Sequence, residues 1–193
     1  MNTASAAMWA APLAEAVTAR RLIAEADPPR DTGGMVALLP RPDFAEAMAV
    51  QGGEPVEELH LTLAYLGPDV TDLPFGEAIA AEIGRIADSL TAVEARVFGH
   101  AILNPDGGPD GESDPCAVYL VGDSPLLAPL RDEVVGVCQQ VMGEALHRQH
   151  SPFVPHVTAS YAVQRLDFAG RLVFDRLVLE WAGQSWCFPL VEA

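Results

Sequence analysis

The sequence contains no lysine: its eleven basic residues are all arginine, against 27 acids, for a formal net charge of −16. Tight binding to long nucleic acid rests on many cationic contacts to phosphates, so this chain is expected to repel that polymer. A small anion held by a few directed groups remains compatible with the charge. The missing lysine by itself matches a GC-rich coding bias. Cysteine is also scarce. Cys116, Cys138 and Cys187 are odd in number, widely spaced and form no CxxC pair. This argues against a disulfide framework or a zinc ribbon and for small buried thiols in a reducing compartment. No apolar run approaches the length that spans a bilayer. The Ala-rich start lacks the basic and compact apolar regions of a signal peptide, its first charge being Glu15. A cytoplasmic location away from membranes is the expectation. What is present, 50% hydrophobic and 20% charged residues, is the composition of a folded domain.

Residues 1–32 read as an appendage, with a helix over "PLAEAVTARRLIAEA" and a linker at "DPPRDTGG". The compact domain is expected over 33–193. There "MVALLP" reads as a strand, "DFAEAMAVQGG" as a helix with Asp43 at its cap, and "EELHLTLAYLG" as a second strand. Phe75, Ile79, Ile83 and Ile86 recur at helical spacing. "AVEARVFGHAIL" alternates as a strand, and "NPDGGPDGESDP" is a turn-rich loop whose acidic part, 106–114, is solvated or a lid. "CAVYLVG" is a strand and 124–148 a long helix. The chain closes on strands with a hairpin about Ala182, Gly183 and Gln184. The order predicts a duplicated α+β unit.

Each half of that duplication carries one strand of the same form. Residues 60–67 read "HLTLAYLG" and residues 156–163 read "HVTASYAV", both His-x-Thr-x-x-Tyr. Strict alternation puts His60, Thr62 and Ala64 on one face, and His156, Thr158 and Ser160 on one face of the other strand. Tyr65 and Tyr161 then point backwards. Two imidazoles and two hydroxyls facing one cleft suit a phosphodiester. One ring takes a proton from the nucleophile, the other protonates the leaving oxygen, and the threonines hold the non-bridging oxygens.

The paired motif, with "PFVP" before its second copy, resembles the 2H phosphoesterase superfamily, nearest to its LigT-like or 2′-5′ RNA ligase members. The resemblance covers roughly 34–191. It implies a bilobal α+β fold with two antiparallel sheets facing a central cleft and helices outside. It also implies metal-independent chemistry without a cofactor, and His60, Thr62, His156 and Thr158 as catalytic residues. Substrates in the superfamily include 2′,3′-cyclic phosphates, 2′-5′ linkages and, in viral members, cyclic oligonucleotide messengers. A hydrolase of a small cyclic or oligomeric nucleotide, acting as a monomer, is therefore expected. The competing readings are a non-catalytic nucleotide sponge and an assembly protein working through residues 1–32.

LigT-like proteins often continue the second motif to an arginine, where this chain has Tyr161. Phosphate holding then falls to the threonines, backbone amides, Arg41 or Arg148, with Tyr65 and Tyr161 as further contacts. Phe153, in a Pro-flanked loop before His156, is the candidate for stacking on a base. His147, His150 and His156 also read as an H-x2-H-x5-H metal cluster, which the helix end at His147 and Arg148 argues against. His100 reads as structural, and Trp181 and Trp186 as core.

Overall fold

The computed structural model describes residues 20–23, 32–105, 115–162 and 164–191. Its strands are β1 (Arg20–Ile23), β2 (Gly34–Pro40), β3 (Leu61–Gly67), β4 (Val93–Leu103), β5 (Cys116–Gly122), β6 (His156–Ser160), β7 (Gly170–Trp181) and β8 (Gln184–Pro189). The α-helices are α1 (Pro42–Met48), α2 (Gly76–Ser89) and α3 (Leu127–Met142). All these strands belong to one sheet, and every ladder in it is antiparallel.

The sheet has two halves that share β7. Residues 170–174 of β7 pair with β4, and β5 and β6 continue outwards from there. The later part of β7 pairs with β2, which carries β3, and with β8. Followed from end to end, the order is β3-β2-β7-β4-β5-β6. The two motif strands are thus the ends of one curved sheet, and β3 and β6 touch each other. The expected bilobal α+β architecture is present, with its two antiparallel halves joined through one long strand.

One face of the sheet packs on the helices in a single core. Helix α2 buries Ile79, Ile83 and Ile86 as its spacing predicts, and Trp181 and Trp186 lie in the same core. Cutting Ile83 to alanine there is worth about 2–5 kcal/mol. Gly76 lets α2 close on Trp181, because a Cβ at that position would meet the indole at 3.0 Å. The closing hairpin turns through Ala182 and Gly183, both at positive φ (48° and 74°), the two-residue turn that matches strand twist.

Local expectations shift in three places. Within the segment read as an N-terminal helix, Arg20–Ile23 is a strand paired with β8; the rest of 1–31 lies outside the described residues, as does loop 106–114. Helical propensity is a weak preference that an open sheet edge overrides. The cap of α1 is Arg41, with Pro42 at the first helical position and Asp43 inside the first turn. Helix α3 stops at Met142 rather than reaching Arg148, because Gly143 takes a positive φ of 57°.

Candidate active site

Both histidines are held the same way. Nδ1 of His60 lies 2.6 Å from the carbonyl oxygen of Glu58, and Nδ1 of His156 lies 2.7 Å from that of Val154. A carbonyl only accepts, so Nδ1 carries the hydrogen in each ring and Nε2 is left to exchange a proton. The two rings are near enough for the charge of His156 to act on His60. Burial, first, and that charge hold His60 below the ordinary imidazole value of 6.5, against the opposing pull of the Glu58 carbonyl. His60, Thr62, His156 and Thr158 are all half-buried, between fully buried Leu61, Leu63, Val157 and Ala159.

Strict alternation fails at the same point in both strands. In β3, Thr62 pairs with Ala37 but Ala64 pairs with Val36, so Leu63 is an extra residue. In β6, Thr158 pairs with Val118 but Ser160 pairs with Ala117, so Ala159 is extra. Each strand therefore bulges directly after its threonine. A bulge re-aims the side chains beyond it. Ala64 and Ser160 turn to the core, where each is 1% exposed, and Tyr65 returns to the face of Thr62. The face assignments from alternation are corrected for Ala64, Ser160 and Tyr65. Tyr65 is half-buried, with the His147 ring edge-on at 5.1 Å. Tyr161, expected to pack inwards, lies just past the end of β6 and is 61% exposed.

The segments leading into the histidines exchange hydrogen bonds across the strands. The Glu54 N–H, in the loop before His60, donates to the carbonyl of the bulged Ala159 at 2.9 Å. Gly53 makes that approach feasible, since a Cβ there would sit 2.2 Å from the same oxygen. In the loop before His156, Gln149 acts as a short surrogate strand along β3. Its Nε2 donates to the Tyr65 carbonyl at 2.7 Å, and its Oε1 accepts the Tyr65 N–H at 3.1 Å. Neither Gly53 nor Gln149 is marked by a sequence pattern. A further neighbour is Cys116, whose buried thiol is pushed above its ordinary value chiefly by desolvation.

The other sequence candidates are dispersed or engaged. Arg41 binds Asp43 through Nε and Nη2 at 2.6 and 2.7 Å and lies over the Phe44 ring. Arg148 is exposed in the loop between α3 and β6. Phe153 packs against the core with the Arg131 guanidinium 4.8 Å from its ring centre. His100 serves structure: Nε2 contacts the Phe168 carbonyl and the ring meets Tyr119 edge-on. His147 and His150 do not converge with His156. Among the described residues no group of three or more His, Cys, Asp or Glu is placed to hold a metal, and no helix is long and apolar enough to cross a membrane.

The 2′-5′ RNA ligase superfamily matches residues 51–189, most of the chain and both motif strands. The chain is a member of that superfamily. Membership brings a phosphoesterase-type activity, the chemistry to which the paired histidines are suited. Solved structures agree on the fold. TT0787 of Thermus thermophilus is similar with a TM-score of 0.58 and 20% identity, over 82% of this chain and 97% of that one. Escherichia coli LigT complexed with 3′-AMP gives 0.51 and 21%, over 85% and 96%. A structure described as a phosphoesterase gives the same values. No curated protein gives a match to the sequence.

Proposed function

We propose that this superfamily member is a metal-independent phosphodiesterase of a small cyclic or oligomeric nucleotide. The twin Nδ1–carbonyl bonds on touching strands carry the reading, because they leave Nε2 of each ring to exchange a proton with a phosphate bound between the strands. With a 2′,3′-cyclic phosphate, water adds to phosphorus and one ribose oxygen departs. One imidazole takes the proton from water and the other gives its proton to that oxygen. His60, held below the ordinary value, enters neutral and serves as the base; His156 supplies the proton. Thr62 and Thr158 donate to the non-bridging oxygens as charge gathers there. The net charge of −16 favours a small substrate over long RNA. The 3′-AMP held by the LigT relative is a ligand of that size.

The test is product analysis by mass spectrometry, in EDTA, with 2′,3′-cyclic mononucleotides, 2′-5′ oligoadenylate and cyclic di- and trinucleotides. Cleavage of one class by wild type, absent from the His60→Ala/His156→Ala double variant, is expected. Activity that needs an added divalent ion refutes the metal-free scheme. Binding without cleavage turns the reading towards a nucleotide sponge.

A further inference from the structure

We propose that Phe98 is the platform of a nucleobase subsite on the cleft face of β4, β5 and β6. This rests on the phosphodiesterase reading and says where the base of its substrate lies. Phe98 is 65% exposed, more than any other large hydrophobic among the described residues. It sits at a slip in the β4 ladder: Val97 pairs with Val121 but Gly99 pairs with Leu120, so Phe98 is the extra residue of a bulge. Bulges beside sites re-aim side chains, and here the ring goes to a definite place.

The register gives that place. Paired residues of an antiparallel ladder share a face. His156 pairs with Leu120 and Leu120 with Gly99, so one row crosses three strands on the histidine face. Gly122 lies on the Leu120 face, two residues on. A Cβ at Gly122 would come within 3.0 Å of the Phe98 ring, which therefore lies over Gly122 on that same face. Gly122 is one strand spacing from β6 and two residues along from Leu120, so the ring lies roughly 8 Å from His156. A nucleotide covers that span from phosphate through ribose to base. A phosphate at the histidines leaves its ribose over Leu120 and its base against Phe98. Gly99 and Gly122 raise no side chain beside the ring that would block a stacked heterocycle. Phe153 lacks this openness, since Arg131 covers it.

Stacking on one aromatic discriminates little between bases, so the subsite tolerates all four and favours the larger purines. The test compares wild type with Phe98→Ala, Phe98→Leu and Phe98→Trp. The substrates are adenosine 2′,3′-cyclic phosphate and its analogue with hydrogen in place of adenine. Where a different nucleotide is the one cleaved, that nucleotide and its abasic analogue are used. Phe98→Ala and Phe98→Leu should raise KM for the nucleotide roughly 5- to 100-fold and leave the abasic analogue unchanged. Phe98→Trp should restore the wild-type value. Equal effects on both substrates, or none, overturn the subsite. Calorimetric titration with the nucleotide separates the two readings. Binding that depends on Phe98 without cleavage keeps the subsite and refutes the phosphodiesterase. Binding indifferent to Phe98 refutes the subsite alone, and neither binding nor turnover refutes both.

Discussion

The two motif strands are close copies in scaffold and unlike in setting. Each fixes its histidine through a carbonyl two residues upstream, and each bulges after its threonine. Yet β3 runs on through Tyr65 under the amide of Gln149, whereas β6 stops at Ser160 and leaves Tyr161 exposed. The shared parts position two proton carriers alike. The unshared parts give the two histidines different surroundings, which suits the proposed division of labour between them. Symmetry supplies the geometry, and its breaking is what the proposed division into base and acid rests on.

The sharpest way to break the comparison is to remove one ring at a time. His60→Ala and His156→Ala should each lower kcat roughly 10²–10⁴-fold, read by single-turnover kinetics on the cleaved substrate. The double variant should lose little more than the worse single one, because the rings act as a unit. Next in size is the contact that sets the spacing of the strands. Gly53→Ala drives a methyl into the Ala159 carbonyl, and a displacement on the order of 1 Å at a catalytic pair costs about 10²-fold in kcat. Gly53→Ser should do the same, while Gly52→Ala, in open space but at a φ of 73°, should cost stability through backbone strain with a smaller loss in kcat.

Gln149→Met keeps the volume and removes the surrogate strand. About 1 kcal/mol for each lost hydrogen bond should appear in urea unfolding. The His60 titration should move as well, since the loop held by Gln149 delivers His156. The smallest effects are electrostatic. Followed by NMR, His60 should titrate below 6.5, and His156→Ala should raise its midpoint without restoring the ordinary value. Desolvation, the larger cause, survives that substitution. The same depression sets the sign for stability. Below pH about 6.5 the unfolded chain binds a proton that folded His60 refuses. Stability therefore falls as pH drops from 6.5 through the folded-state value, and His60→Gln should flatten that part of the curve.

Much of this was legible in the residues. The repeated His-x-Thr-x-x-Tyr marked the two histidines and two threonines that the fold brings to touching strands, and helical spacing marked the buried face of α2. The bulges were not legible, because Leu63 and Ala159 are apolar residues in apolar strands, where one extra residue leaves no trace. Only the ladder shows that two consecutive core-facing residues, Leu63 and Ala64, restore Tyr65 to the cleft. Gln149 and Gly53 act on backbone far away in sequence, a relation that composition and period do not encode. At Phe98 the alternation of β4 already points to the exposed face shared with Glu94 and Arg96, but the bulge that re-aims the ring leaves no trace in the sequence. Phe153 was chosen for its nearness to His156 along the chain, and the packing of Arg131 removed its free face.

The place of β7 has a consequence for the order in which the molecule is made. The first motif strand lies on β2, and β2 completes its ladder only with β7, near the end of the chain. During synthesis the early half waits for the last strands to emerge, with the apolar edge of β2 unpaired until then. Pairings this distant in sequence form slowly, since loop closure must precede any gain from contact. Although the halves look like copies, the early one completes its sheet only through β7. The site assembles late, when the final hairpin arrives to complete the sheet that joins them.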